Sequence, residues 1–174
     1  KVVELLINSK IIGWFSGKME YGPRSLGNRA ILANPADKNM KEIINSKIKR
    51  RENFRPFAPV ILIEEKKNWF RTDSLNPFMS FVETILPDKR IEIPSVTHVD
   101  GTGRVQTVDI NQNPKLYKLI KQFYKRSNIP LLLNTSFNEN EPIVENPSQA
   151  INCFLRTGMD ALILENILLI KNDN

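Results

Sequence analysis

Apolar positions along this chain follow two rhythms. Short runs at residues 11–15, 29–33, 58–63, 130–134, 161–164 and 167–170 are mostly apolar, which predicts strands buried in a sheet. Residues 37–48, 115–127 and 147–156 instead repeat apolar side chains every three or four positions, which predicts helices with one buried face. Leu116, Leu119, Ile120 and Phe123 form the clearest stripe, with Pro114 near the first helical position. In the last helix Ala150, Ile151, Phe154 and Leu155 are the expected inward set. Short helices are expected over 2–9 and 64–70, and two further strands over 79–86 and 105–110. Strands alternating with helices predict an α/β fold, a twisted mixed β-sheet flanked by helices. Nothing repeats and no linker composition interrupts the 174 residues, so a single domain is expected.

Composition narrows the class. A chain of this length can bury a real core, and its 41% hydrophobic and 25% charged residues are those of an ordinary globular domain. No apolar run approaches the ~20 residues that span a bilayer. One Cys and one His exclude an internal disulfide framework and argue against a Cys/His zinc site. A soluble, cytoplasmic domain with no metal site of its own is the expectation. The chain opens Lys-Val-Val-Glu without Met, and is expected to be a piece of a longer polypeptide.

Charge changes the picture more. Ten Lys or Arg and four Asp or Glu lie between Lys18 and Arg55, an excess equal to the +6 of the whole chain. These cations sit beside turn formers, namely Gly22-Pro23, Gly27, Pro56 and Pro59. Cations on tight turns converge on one anion more readily than cations spread along a helix, and the prolines reduce the freedom lost on binding.

Four stretches carry candidate chemistry. Gly13-Trp-Phe-Ser-Gly17-Lys18 is not a phosphate loop: its glycines are one residue too close and Met19 stands where Ser or Thr would hold magnesium. Lys49-Arg50-Arg51-Glu52 is either the solvated end of a helix or, with Phe54-Arg55-Pro56-Phe57, a rigid anion site in which Arg grips phosphate oxygens in pairs. Leu133-Asn134-Thr135-Ser136-Phe137-Asn138 is an Asx or Ser/Thr turn, or a ligand site at a strand's carboxyl end. His98-Val-Asp100-Gly-Thr102-Gly-Arg104 gathers polar groups around glycines. Cys153, Trp14 and Trp69 are expected in the core.

Taken together, Gly22-Pro-Arg-Ser-Leu-Gly-Asn-Arg-Ala-Ile-Leu32, Lys49-x-Arg51-Glu-x-Phe-Arg-Pro-Phe-Ala-Pro59, Thr97-His-Val-Asp-Gly-Thr102 with Arg104-Val-Gln-Thr107, and Leu133 to Asn138 resemble the C-terminal domain of the NodU/CmcH-type O-carbamoyltransferases. The resemblance runs from about Ile11 to Leu169. Two positions depart from the family pattern: Ser25 replaces an Ala, and Glu139 follows Asn138 where a Gly is usual. The resemblance implies a YrdC-like fold that binds ATP with Mg2+ and carbamoyl phosphate and makes carbamoyl-adenylate. It also implies an N-terminal actin-like domain, absent from this chain, that passes the carbamoyl group to an acceptor hydroxyl.

On that resemblance Lys49, Arg51 and Arg55 are the catalytic candidates, with Lys49 at the leaving oxygen. Arg24 and Arg104 would neutralise phosphate, and Asn134, Ser136 and Asn138 would orient the adenylate, with Thr102 and His98 beside them. No covalent nucleophile stands out, so positioning and electrostatics would carry the chemistry. Oligomeric state is not legible, and a homodimer is allowed for. Two rivals stand: a basic nucleic-acid-binding module, disfavoured because most aromatics fall on apolar faces, and a non-catalytic assembly domain.

Overall fold

A computed structural model describes residues 1–171. Its centre is a seven-stranded mixed sheet in the order β6-β3-β7-β2-β1-β8-β9. The strands are β1 (Ile12–Phe15), β2 (Arg29–Ala33), β3 (Ala58–Leu62), β6 (Gln106–Val108), β7 (Leu131–Ser136), β8 (Ala161–Leu164) and β9 (Ile167–Ile170). The pairs β1–β8 and β3–β6 are parallel and the others antiparallel. β4 (Glu83–Thr84) and β5 (Thr102–Gly103) form a separate two-stranded ladder. The expected single α/β domain is therefore the fold observed.

Helices α1 (Val2–Ile7), α2 (Met40–Lys47), α3 (Pro114–Ser127) and α4 (Pro147–Arg156) flank the sheet. α3 packs on β3 and β7, and α1 packs on α3. Its stripe of Leu116, Leu119, Ile120 and Phe123 is buried, about 1.5–3 kcal/mol for each large apolar side chain. Asn113 caps it, its Oδ1 accepting from the Leu116 N–H at 3.1 Å, and Asn128 closes it in the left-handed region at φ 60°. α4 packs on β1 and β8, capped by Asn146. Its inward side is Ala150, Cys153 and Phe154, and Leu155 is exposed, contrary to expectation. Cys153, Trp14 and Trp69 lie in the core as expected.

Three expected elements differ. Residues 64–70 form a tight 3₁₀ segment, Ile63–Asn68, instead of an α-helix. The strand expected over 79–86 survives only as Glu83–Thr84, because the segment before it is pinned by side chains. Lys66, almost wholly buried, pairs with Glu83 at 2.7 Å, Asn76 Nδ2 donates to Glu83 Oε1 and to the Phe81 carbonyl, and Met79 sits at φ 55°. The strand expected over 105–110 narrows to Gln106–Val108.

Candidate active site

The register brings the motif residues to one end of the sheet. β7 ends at Ser136, which lies opposite Ala30 near the start of β2, and Asn134 lies opposite Ala58, the start of β3. β6 runs parallel to β3, so Gln106, and Arg104 just before it, arrive at the same end. The site thus combines the carboxyl end of β7 with the amino ends of β2, β3 and β6. The strand-end argument of the sequence supplied only the first of these.

Two cavities open there. One, about 130 Å³, is lined by Pro23, Arg24, Ser25, Arg51, Met79, Arg104, Asn134, Thr135 and Ser136, among others. The other, about 290 Å³, is lined by Arg51, Arg55, Pro56, Phe57, Ala58, Val82, His98 and Arg104. Arg51, Arg104 and the Pro56-Phe57-Ala58 turn belong to both. No Asp or Glu lines either cavity. Seven of the ten expected residues are thus brought together: Arg24, Arg51, Arg55, His98, Arg104, Asn134 and Ser136.

Arg55 is paired with Glu52 at 3.1 Å, and Arg51 and Arg104 each feel a neighbouring like charge. Burial, followed by the neighbouring charge of Arg24, weakens the charged form of Arg104. Burial and then Arg55 do the same to Arg51. The Arg104 Nε is buried without a hydrogen-bond partner among the described residues. Arg51 is oriented from behind: its Nε donates to Asn45 Oδ1 at 2.7 Å and its guanidinium lies 5.1 Å above the Phe57 ring.

Lys49, Asn138 and Thr102 line neither cavity. Lys49 is buried, and its Nζ donates to the carbonyls of Ser136 (2.6 Å) and Asn138 (2.7 Å) and to Asn138 Oδ1 (2.7 Å), with Ser136 Oγ at 3.2 Å. It ties the basic segment to the turn after β7. Burial, then the Arg51 charge, brings its pKa down to about 7. Arg50 between them turns outward at φ 42° and pairs with Glu139 at 3.0 Å. Thr102 acts behind His98. Its hydroxyl donates to Asp100 Oδ1 at 2.6 Å, so it accepts from His98 Nδ1 at 3.1 Å and leaves Nε2 with its lone pair. Burial lowers the His98 pKa, which favours the neutral ring at pH 7.

Glu20 gave no sequence signal beyond being a lone acid among turn residues. Its Oε1 accepts from the backbone N–H groups of Leu26 (2.8 Å), Asn28 (2.6 Å) and Arg29 (3.3 Å), closing the loop that carries Arg24. Most aromatics do fall on apolar faces, as expected, with four exceptions. Trp14, Trp69 and six Phe are buried, but Tyr21, Phe54, Phe78 and Phe81 are exposed. Magnesium takes carboxylate ligands from proteins, and this lining offers none. Nor do three His, Cys, Asp or Glu gather into a metal-binding group among the described residues. The lining is cationic and does not fit a protein-held cation.

Residues 3–171 match the family model described as Carbamoyltransferase C-terminus. The chain belongs to this family. Nodulation protein NolO of Bradyrhizobium diazoefficiens is 46% identical over 95% of the domain and 31% of its own length. The 3'-hydroxymethylcephem-O-carbamoyltransferase of Amycolatopsis lactamdurans is 36% identical over 78% of the domain and 25% of its own length. The domain spans a third or less of the curated relatives it matches. Full-length HypF, solved in a phosphate- and nucleotide-bound form, matches 95% of the domain and 20% of its own chain, with TM-score 0.62 and 19% identity. That likeness bears on the fold alone, and agrees with the fold expected from the sequence. No helix among the described residues is long and apolar enough to cross a membrane.

Proposed function

We propose that this domain binds ATP and carbamoyl phosphate and forms carbamoyl-adenylate, which an N-terminal domain of the same polypeptide passes to an acceptor hydroxyl. The supporting observation is the pair of cavities that share Arg51 and Arg104 and contain no carboxylate. In this reading the domain works in the cytoplasm, where both substrates are made.

The chemistry balances with water. Carbamoyl phosphate and water give carbamate and phosphate. A carbamate oxygen then attacks the α-phosphorus of ATP, the bond from that phosphorus to the bridging oxygen breaks, and pyrophosphate leaves. Negative charge collects on phosphate oxygens in both steps, so fixed guanidinium groups are the effective catalysts. Arg24, Arg51, Arg55 and Arg104 fill that role, all of them lining the cavities. Ser136 is not a nucleophile here. Its hydroxyl proton is committed to Asn138 Oδ1 at 2.7 Å, and Lys49 Nζ at 3.2 Å donates to its oxygen. Lys49 serves from behind the wall, holding the Ser136–Asn138 turn that faces the ligand, and does not itself stand at the leaving oxygen. Of the relatives, HypF was crystallised with phosphate and nucleotide and the cephem enzyme is named as an O-carbamoyltransferase, both in keeping with this reading.

Calorimetry tests binding directly. ATP and carbamoyl phosphate should each bind the domain, and no acceptor should become carbamoylated by the domain alone. A carbamate ester made without the rest of the polypeptide would refute the division of labour. The exposed Tyr21, Phe54, Phe78 and Phe81 beside a basic segment favour one second reading, a single-strand nucleic-acid surface. Oligonucleotide binding that weakens steeply with salt would support it over ours.

A further inference from the structure

The loop that carries Arg24 has few contacts of its own with the sheet. At Ser25 and Leu26 two buried amides supply them. Gln106 Nε2 donates to the Leu26 carbonyl at 2.8 Å, and Asn134 Nδ2 donates to the Ser25 carbonyl at 3.2 Å. Asn134 Nδ2 also donates to Gln106 Oε1 at 2.9 Å. Gln106 lies on β6 and Asn134 on β7, with β3 between them, so the amide pair bridges over the middle strand. Both are buried, at 3% and 1% exposure, where an unsatisfied amide is costly. Gln106 also stands two residues beyond Arg104.

We infer that Gln106 is a positioning residue for anion binding: it fixes the backbone at Ser25–Leu26 so that Arg24 faces the cavity opposite Arg104. This rests on the reading of the cavity as a phosphate site. The inference follows from the cost of bringing Arg24 and Arg104 together. Arg24 is an exposed side chain that lines the cavity beside Arg104, and like charge opposes that placement, so the loop backbone has to hold it there. Glu20 closes the loop internally through its N–H groups, while Gln106 and Asn134 hold the Leu26 and Ser25 carbonyls, Asn113 reaches that of Gly27 and the Ser16 N–H holds that of Asn28. Gln106 does not line the 130 Å³ cavity, so it acts through the loop.

The test is a double-mutant cycle of Gln106→Leu and Arg24→Ala, read by calorimetry with carbamoyl phosphate and with ATP, together with hydrogen exchange of the loop amides. Gln106→Leu should weaken binding about tenfold and speed exchange at residues 25–28, with unfolding still cooperative. In the Arg24→Ala background the same change should weaken binding no further, since its effect passes through Arg24. Losses that add in the double variant, or exchange that does not change, would overturn the inference while leaving the phosphate-site reading standing. Wild-type protein that binds neither compound would overturn both. Should Gln106→Leu fail to fold, Gln106→Glu keeps the acceptor for Asn134 and loses the donor to Leu26, and the same criteria apply to it.

Discussion

The Lys49 ammonium lies 2.7 Å from Asn138 Oδ1, so the basic segment and the turn after β7 form one unit although 89 residues separate them. Two motifs that look independent in the sequence are a single piece of wall. Lys49 supplies its charge to that wall from inside, and Arg51 supplies its charge from the cavity side.

That burial has a pH signature. The folded pKa of Lys49, about 7, lies below the ordinary 10.5, so between these values the unfolded chain binds the proton more tightly. Stability from this group is lowest below pH 7 and rises with pH up to about 10.5. Lys49→Met lacks that rise and leaves the Ser136 and Asn138 oxygens unpaired, at a cost of roughly 1–3 kcal/mol. Urea unfolding at pH 7 and pH 9.5 should show the gap between wild type and variant widening at the higher pH. An equal gap at both would refute it.

Arg50 and Arg51 offer a charge-matched comparison. Arg51→Ala removes a guanidinium that lines both cavities, and should weaken ATP and carbamoyl phosphate binding roughly ten- to a hundredfold. Arg50→Ala removes an exposed cation already paired with Glu139, and at one ionic strength should change affinity little. Equal losses in calorimetry would mean a diffuse basic patch.

Cys153 tests the boundary of the site. It is fully buried and burial pushes its thiol up to about 11, so native protein should resist alkylation at pH 8. Cys153→Ala should cost about 1 kcal/mol of stability and leave ATP affinity unchanged. A variant that folds normally but loses ATP would place the thiol in the site.

The Lys66–Glu83 pair anchors the segment that presents Met79 and Val82 to the cavities. Glu83→Ala leaves a buried ammonium unpaired and should cost about 3–5 kcal/mol, whereas Lys66→Met with Glu83→Leu should recover much of that loss. Chemical denaturation of the three variants checks the ordering. A double variant as unstable as Glu83→Ala would contradict it.

The fold was legible where periodicity was strong. The α3 stripe and the apolar runs of β1, β3 and β7 had one way to bury their side chains. Residues 79–82 were not legible as loop, because their conformation is set by Lys66, Asn76 and Glu83 bonding across the chain instead of by local pattern. Arg24, Arg51 and Arg55 were readable from their clustering beside prolines, and Arg104 from the glycine-rich polar stretch that ends in it. Lys49 was expected at the leaving oxygen but lies buried behind the cavity wall, because sequence spacing says nothing of a side chain's depth. Glu20 and Gln106 were missed as positioning groups because they bond to backbone atoms of a loop, which leaves no mark in spacing.

The most direct measurement follows phosphorus. ATP, carbamoyl phosphate and magnesium are mixed with the domain and the products resolved by phosphorus NMR. The account predicts phosphate, pyrophosphate and carbamoyl-adenylate appearing in equal amounts, and no pyrophosphate when carbamoyl phosphate is left out. Bound ATP that yields no pyrophosphate with both substrates present, or that yields ADP, would contradict it.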